Sequence, residues 1–272
     1  MPELPEVETI ARELQQVLPG RRIQSTKVFR DNVLQGITKG KFESGITGRV
    51  FESVSRRGKF LLFRFAESGC LVGHLRMTGK FVVSTTPEDP PVHHRVWFGL
   101  EDNEVLAYQD MRCFGTLALV ESPEDYSPLA RLGVEPLGPG FTKNWLAEAL
   151  ADSRSPIKHW MMDQARIAGL GNIYVSEILH RARISPLRPA DQITGDEAPR
   201  LHGEVQRVLR EALEKNGTTI SDYRRVDDKT GGFQNFLRVY DKAGRPCPRC
   251  KREITRIRQQ QRSTYYCPSC QI

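Results

Sequence analysis

Four cysteines near the end of the chain constrain its fold more than any other feature. They form two C-x2-C pairs, Cys247 with Cys250 and Cys267 with Cys270, separated by sixteen residues. Two such pairs at this distance can place four thiolates tetrahedrally around one Zn²⁺, with each pair on a tight turn. A segment this short has too little apolar core to fold unaided, so we expect bound metal to supply its folding energy. Because four cysteines leave no open coordination position, the predicted zinc is structural.

The spacer between the two pairs predicts a basic β-hairpin. Its sequence ITRIRQQQRSTYY carries Arg256, Arg258 and Arg262, and the spacer offers only Glu253 against them. A rigid hairpin that bears arginines is suited to contact with phosphates. The net charge of +7 also favours an anionic partner, most simply nucleic acid. A solvated charged hairpin without a partner is the alternative that these observations leave open.

The apolar pattern along the chain predicts an α+β protein of three parts. A helical stripe runs over residues 3–18, and short β-rich runs separated by turn residues then extend to about residue 120, as in an antiparallel sandwich or barrel. A Pro- and Gly-rich stretch, 121–142, reads as a linker. Helices are expected over four later ranges, which are 142–152, 156–165, 172–182 and 194–216. We therefore predict an N-terminal domain over 1–130, a helical domain over 131–233 and a zinc-binding tail over 234–272.

The helical middle contains a glycine-rich turn, IAGLGN, between two predicted helices. Gly169 and Gly171 permit tight backbone geometry, and Asn172 lies where the second helix begins. Backbone N–H groups at a helix start can hold an anion such as a DNA phosphate. Lys158 and Arg154, on the preceding helix, can add positive charge. Most turns of this kind are only turns, so this motif alone is weak.

The N-terminal sequence MPELPEVET has a structural and a chemical interpretation. Proline suits a first helical turn, and carboxylates such as Glu3 and Glu6 oppose the helix dipole there. If Met1 is removed, however, Pro2 becomes a free secondary amine beside a carboxylate, which is a potential nucleophile. The acidic start is unlike a secretory signal, and no apolar run approaches the ~20 residues of a membrane span. We therefore predict a cytoplasmic protein with reduced cysteines.

Three separated segments resemble one known family. The N-terminal PELPEVET, the turn and helix GLGNIYVSE, and the C-x2-C-x16-C-x2-C tail together resemble the formamidopyrimidine-DNA glycosylases, bacterial repair enzymes that excise oxidised purines such as 8-oxoguanine. The resemblance implies an N-terminal helix with an antiparallel β-sandwich, a helix-two-turn-helix domain and a zinc β-hairpin. It also implies base excision followed by β,δ-elimination of the abasic strand, on duplex DNA, with one structural Zn²⁺ and no redox cofactor.

The same resemblance assigns the catalytic residues. Pro2 matches the family's amine nucleophile, which forms a Schiff base with the sugar C1′, and Glu3 matches its catalytic acid. Glu6 matches a residue that positions the N-terminus. Lys59 matches a lysine that contacts the damaged nucleotide and assists β-elimination, and Arg262 matches the finger arginine that grips flanking phosphates and assists δ-elimination. Taken alone, a lysine that opens an apolar strand is usually a solvated end residue.

The resemblance further implies a set of DNA contacts. Met77, Arg112 and Phe114 match the side chains that fill the space left by an everted base, and each type suits the task as apolar plug, hydrogen-bond donor or aromatic wedge. The family commonly has a second basic residue where this chain has Cys113, so a phosphate contact at that position is in doubt. Contacts to phosphate are expected from His74, His93, Lys158, Asn172 and Arg154.

Two other functions compete with this interpretation. Endonuclease VIII, a sister group, shares the Pro-Glu start and a similar finger but prefers oxidised pyrimidines. The stretch TTISDYRRVDDKTGGFQNFLRVY resembles the longer loop with which the purine-specific branch covers the everted base, and it favours that branch. A non-catalytic, zinc-dependent protein that binds damaged DNA fits the charge and the finger equally well. We expect a monomer with no obligate protein partner.

Overall fold

The structure is a computed structural model that describes residues 1–85, 89–218 and 231–272. The chain divides into two compact units, Met1–Ala130 with Lys215–Gly232, and Arg131–Glu214 with Phe233–Ile272. The stretch assigned to a base-covering loop lies mainly on residues 219–230, outside the described residues. The boundaries predicted at residues 130 and 233 are limits of domains that fold independently. These boundaries stay predictions.

The first unit begins with helix α1, Leu4–Val17, close to the predicted range of 3–18. Its buried stripe includes Val7, Ile10 and Leu14, which face the core at helical spacing. The elements that follow are β1 Ser25–Val28, α2 Lys39–Ile46, β2 Phe51–Arg57, β3 Phe60–Phe65, β4 Cys70–His74, β5 Gly79–Thr85, β6 His94–Gly99, β7 Glu104–Asp110, β8 Thr116–Val120 and α3 Ser127–Ala130.

These strands form two antiparallel sheets with a common core. Their orders are β1-β6-β7-β5 and β2-β3-β4-β8. Inward-facing side chains of both sheets belong to one apolar cluster, in which the rings of Phe63 and Phe81 lie 4.9 Å apart. Leu14 of α1 and Phe42 of α2 join the same cluster. The predicted antiparallel β-sandwich with an N-terminal helix is confirmed.

Helix α2 lies where the sequence predicts only strands and turns. It is eight residues long and contains Gly40 and Gly45, which weaken the helical pattern. Tertiary packing compensates, because Phe42 and Ile46 are fully buried. A Cβ on Gly45 would lie 2.9 Å from Leu119, so this glycine permits close packing against β8.

The second unit contains the predicted helices and the C-terminal hairpin. Helix α5 ends three residues earlier than predicted, because the side-chain amide of Gln164 binds the carbonyls of Met162 and Leu170 and begins the turn. None of the described helices is long and apolar enough to cross a membrane. The elements are α4 Lys143–Ala151, α5 Ile157–Met162, α6 Asn172–Ala182, α7 Glu197–Glu214, β9 Thr255–Gln259 and β10 Arg262–Tyr266.

Candidate functional site

Two buried glutamates lie at the N-terminus of α1 and bind backbone groups there. Pro2, Glu3 and Glu6 are all buried. The Glu6 carboxylate accepts the backbone N–H of Glu3 at 2.8 Å and that of Thr218 at 2.7 Å. Gly217 has φ +77, and a Cβ there would lie 2.7 Å from Glu6 Oε1, so only glycine allows this approach. Glu6 thus fixes the backbone directly after Pro2 through a capping-box contact.

Lys59 lies in the turn between β2 and β3 and is 5% exposed. Gly58, just before it, has φ +55, a conformation that glycine adopts without steric cost. A lysine in such a place is unlike the solvated strand end that is usual for this pattern. A buried ammonium requires polar or anionic company, which is the environment expected of a functional lysine.

His74 lies at the end of β4, next to Lys59. The β3–β4 register sets it opposite Phe60, and the two rings make an edge-on contact at 4.6 Å. Burial, and to a smaller extent the positive charges of Arg76 and Lys59, lower the pKa of His74 to about 3. Nδ1 accepts the Arg76 N–H at 3.0 Å. The neutral ring therefore carries its proton on Nε2 and can donate it to an anion.

His93 is exposed and has an unusual backbone conformation, with φ +79. Its Nδ1 lies 3.3 Å from a guanidinium nitrogen of Arg95. Because a guanidinium only donates, Nδ1 accepts and Nε2 carries the proton. His93 and His74 thus present the same donor atom, which suits the predicted phosphate contacts.

The three side chains predicted to fill the space of an everted base are exposed and lie in two turns of the first unit, which we call the tips. Met77 lies in the turn between β4 and β5, and Arg112 and Phe114 lie in the turn between β7 and β8. Met77 is 37% exposed and Phe114 is 55% exposed. The Arg112 guanidinium lies over the Phe114 ring, 4.7 Å from its centroid, a cation–π contact that holds both side chains. Cys113, between them, has φ +55, and its thiol contacts the carbonyl of Asp110 rather than extending as a basic side chain would.

Asp110 joins these tips to one another. It is 1% exposed, and its Oδ1 accepts the hydroxyl of Thr78 and the backbone N–H of Arg112, the latter at 3.1 Å. Its Oδ2 accepts the N–H of Gly115 at 2.8 Å. Its own backbone N–H donates to the carbonyl of His93 at 2.9 Å. One buried aspartate therefore links the segments that carry Met77, His93, Arg112 and Phe114.

In the second unit, Lys158 and Asn172 converge on one backbone carbonyl. Lys158 is 1% exposed, and its Nζ donates to the Ser263 carbonyl at 3.1 Å and to the Thr264 hydroxyl at 2.6 Å. The side-chain amide of Asn172, the first residue of α6, donates to the same carbonyl at 3.0 Å. Both residues therefore brace β10 next to Arg262. Their predicted contacts with phosphate stay predictions.

Arg262 is exposed at the start of β10, directly after the hairpin turn. It pairs with Gln259, so the turn consists of Gln260 and Gln261 alone, and both have positive φ, +42 and +67. Two-residue turns with positive φ usually contain Asn or Gly, so this turn is strained. Arg262 also lines a cavity of about 370 Å³ in this unit, together with Ser155, Lys158, His159, Met162, Asp163, Gln259 and Gln260.

Arg154 lies outside this group. Its side chain is 95% exposed, and it makes a long ion pair with Asp191 at 3.9 Å. A surface pair of this kind contributes little to stability, so Arg154 is available for an anion. Its predicted contact with phosphate stays a prediction.

The four cysteines form a compact cluster in which all Sγ atoms lie within 4.8 Å of one another. The Sγ atoms of Cys250 and Cys267 are 3.5 Å apart, and those of Cys247 and Cys270 are 3.9 Å apart. Tetrahedral zinc with bonds of about 2.3 Å needs sulfurs about 3.8 Å apart. The cluster therefore fits one structural Zn²⁺, as the spacing predicts.

Asp110 and Glu177 are the residues that sequence reasoning missed. The Glu177 carboxylate, fully buried on α6, accepts backbone N–H groups of Arg238, Val239 and Tyr240 at 2.8–2.9 Å and so joins the helix to the segment before the finger. A charged residue in the largely apolar run 173–179 is the signal that could have revealed Glu177. Asp110 offers no such signal, because an aspartate at a strand end is common in turns.

Comparisons with known proteins agree with this architecture. Family models match the formamidopyrimidine-DNA glycosylase N-terminal domain over residues 1–117, the H2TH domain of the same enzymes over 132–224, and a zinc finger found in FPG and IleRS over 244–272. Fold and site together therefore define a helix-two-turn-helix DNA glycosylase with a C-terminal zinc finger. At this level of similarity, the chain belongs to the formamidopyrimidine-DNA glycosylase family.

Individual relatives match along their full length. A formamidopyrimidine-DNA glycosylase of Pelotomaculum thermopropionicum is 41% identical, over 100% of this chain and 99% of its own. A Lactococcus lactis Fpg variant in complex with Fapy-dG-containing DNA is 34% identical and superposes with a TM-score of 0.93, over 99% of both chains. The MutM (Fpg) protein of Thermus thermophilus is 39% identical with a TM-score of 0.89, over 99% of this chain and 98% of its own.

Proposed function

We propose that this chain excises oxidised purines, 8-oxoguanine and formamidopyrimidines, from duplex DNA and then cleaves the abasic strand by β,δ-elimination. Family membership and the Fapy-dG complex of a similar structure support the substrate class. The observation that carries the chemistry is the buried start of α1, where Glu6 holds the backbone next to Pro2. The work of such an enzyme on the chromosome supports a location in the bacterial cytoplasm.

In the proposed first step, the amine of Pro2 attacks the sugar C1′ as the bond from C1′ to the base breaks. An α-amino group has a pKa near ~8, against ~10.4 for lysine, so more of it is unprotonated at neutral pH. Glu3 supplies the proton that the leaving group or the opened ring oxygen needs. The attached nitrogen then loses its own proton and the C1′–O4′ bond opens, which gives a cationic iminium. The iminium acidifies the C2′ protons, and loss of one of them starts β-elimination.

The remaining predicted site residues support this chemistry. Lys59 contacts the damaged nucleotide, and Arg262 binds flanking phosphate and assists the second elimination. Met77, Arg112 and Phe114 occupy the space from which the base is extruded. His74 and His93 offer Nε2–H donors to phosphate, and Zn²⁺ bound by the four cysteines maintains the fold of the hairpin that carries Arg262.

Borohydride trapping tests the proposal directly. Sodium borohydride reduces an iminium, so the active protein becomes covalently joined to a duplex with 8-oxoguanine opposite cytosine. Pro2→Gly, or retention of Met1, is expected to abolish efficient trapping. Pro19→Gly is the matched control, because Pro19 is exposed just beyond α1 and away from the reacting amine. A protein that binds the damaged duplex but is never trapped would instead be the non-catalytic binder.

A second arm tests the substrate and the acid. The same assay on thymine glycol opposite adenine separates the purine enzyme from an endonuclease VIII-like one, and removal of thymine glycol alone would refute our assignment. Glu3→Gln is expected to slow base release by ~10²–10⁴-fold while the damaged duplex still binds. Rapid turnover by this variant would contradict the role of Glu3.

A further inference from the structure

Helix α6 contacts the zinc-binding region through a buried histidine that the proposed function does not use. His180 is 0% exposed, and its Nε2 lies 3.5 Å from the Sγ of Cys247. Its Nδ1 is also buried and has no hydrogen-bond partner among the residues that the structure describes. The ring is thus directed at the metal-binding sulfur by one nitrogen only.

The chemistry of the sulfur determines which nitrogen carries the proton. A metal-bound thiolate can accept a hydrogen bond but cannot donate one. If Nε2 were unprotonated, its lone pair would face the negative sulfur, and a proton on Nδ1 would be left buried without an acceptor. A proton on Nε2 avoids both costs and leaves only an acceptor unpaired. His180 is therefore the donor, and Cys247 is the acceptor.

We propose that His180 donates its Nε2–H to the Cys247 thiolate and thereby stabilises the zinc-loaded finger relative to the empty one. Zinc binds cysteine as the thiolate, and a hydrogen bond donated to that anionic sulfur is charge-assisted. Bound zinc holds the sulfur in this form, 3.5 Å from the donor nitrogen. The bond therefore favours the loaded state. This inference depends on zinc binding and is independent of the glycosylase activity.

The position of His180 gives the bond a wider consequence. The same helix carries Asn172, which holds the Ser263 carbonyl beside Arg262, and Glu177, which holds residues 238–240. His180 adds a third connection, directly to the metal cluster. One rigid helix thus contacts both the zinc-binding cysteines and the hairpin, and both zinc occupancy and the position of the hairpin depend on it.

Competition for zinc tests the proposal in the full-length, zinc-loaded protein. His180→Phe keeps a flat ring of similar volume but removes the donor, and His180→Gln keeps an N–H near the position of Nε2. His202→Phe is the matched control, because His202 is also a buried histidine of this unit, and its Nε2 bonds the carbonyl of Phe141 at 2.8 Å. A chelator titration is expected to show a ~10–100-fold weaker zinc affinity for His180→Phe. His202→Phe should bind zinc like the wild type.

Cobalt substitution provides a readout that a packing role would not move. In the Co²⁺-loaded protein, loss of the N–H donor raises the energy of the sulfur electrons and shifts the sulfur-to-cobalt charge-transfer band to the red. His180→Phe is expected to show this shift, and His180→Gln and His202→Phe are not. An unchanged band together with unchanged zinc affinity in His180→Phe would overturn the proposal. If His180→Phe does not fold, His180→Leu, which also removes the donor, is compared with His180→Gln: a red shift in the leucine variant alone supports the donor role, and equal bands in the two variants overturn it.

Discussion

Replacing Asp110 by asparagine should separate base extrusion from the chemistry that follows it. Asp110→Asn preserves the size of the side chain but exchanges one carboxylate oxygen for an N–H₂ group. Its carboxylate receives three hydrogen bonds, from Thr78, Arg112 and Gly115. The change removes at least one hydrogen bond to a charged group, and such a bond contributes about 1.5–3 kcal/mol. The new N–H₂ group also faces one of the N–H or O–H donors that the carboxylate accepted, so a buried donor is left without an acceptor. We expect the ordered conformation of the tips to be destabilised by about 2–4 kcal/mol in total.

The assay compares two substrates in single turnover. A cost of about 2 kcal/mol corresponds to roughly 30-fold. This loss should appear in excision of 8-oxoguanine, because we propose that Met77 and Phe114 replace the extruded base. Cleavage at a preformed abasic site should fall much less, because no base has to be unstacked. Asp102→Asn, in the exposed turn before β7, is the control. Equal losses on both substrates, or none, would refute this account of Asp110.

Three further predictions concern packing, pH and salt. Gly115→Ala should destabilise the protein and slow excision, because its Cβ would lie 1.8 Å from the Tyr108 hydroxyl, whereas Gly203→Ala, in open space on α7, should raise the unfolding free energy by about 0.5–1 kcal/mol in urea titrations. The folded pKa of His74, about 3, lies below its ordinary value of 6.5, so its contribution to stability is complete above pH 6.5 and is lost as the pH falls towards 3. His74→Phe should therefore flatten the pH dependence of unfolding between pH 5 and 6 by up to about 1.4 kcal/mol per pH unit, and an unchanged slope would contradict the buried neutral ring. Affinity for duplex DNA should fall steeply with salt in binding titrations, and a flat response would argue against the predicted phosphate contacts.

The elements with strong local signals could be predicted from the sequence. The apolar stripe of α1 and the stop at Pro19 placed that helix to within one residue at each end, and the cysteine spacing identified the metal cluster. Helix α2 could not be predicted, because its stability comes from the burial of Phe42 and Ile46 and not from local propensity. Hydrogen-bond partners far apart in the sequence could not be predicted either. No local pattern indicates that Lys158 donates to a carbonyl 105 positions away.

The attachment of the finger hairpin to its unit has an evolutionary consequence. The acceptor at position 263 belongs to the main chain, and every amino acid supplies the same oxygen there, so drift in the identity of this residue leaves the grip of Lys158 and Asn172 intact. Insertion or deletion of a single residue between the turn and this position would instead carry the oxygen to the opposite side of the strand. Selection should therefore conserve the length of the hairpin more strictly than the identities of its residues. Mutant libraries that vary the amino acids of the hairpin should keep its number of residues constant.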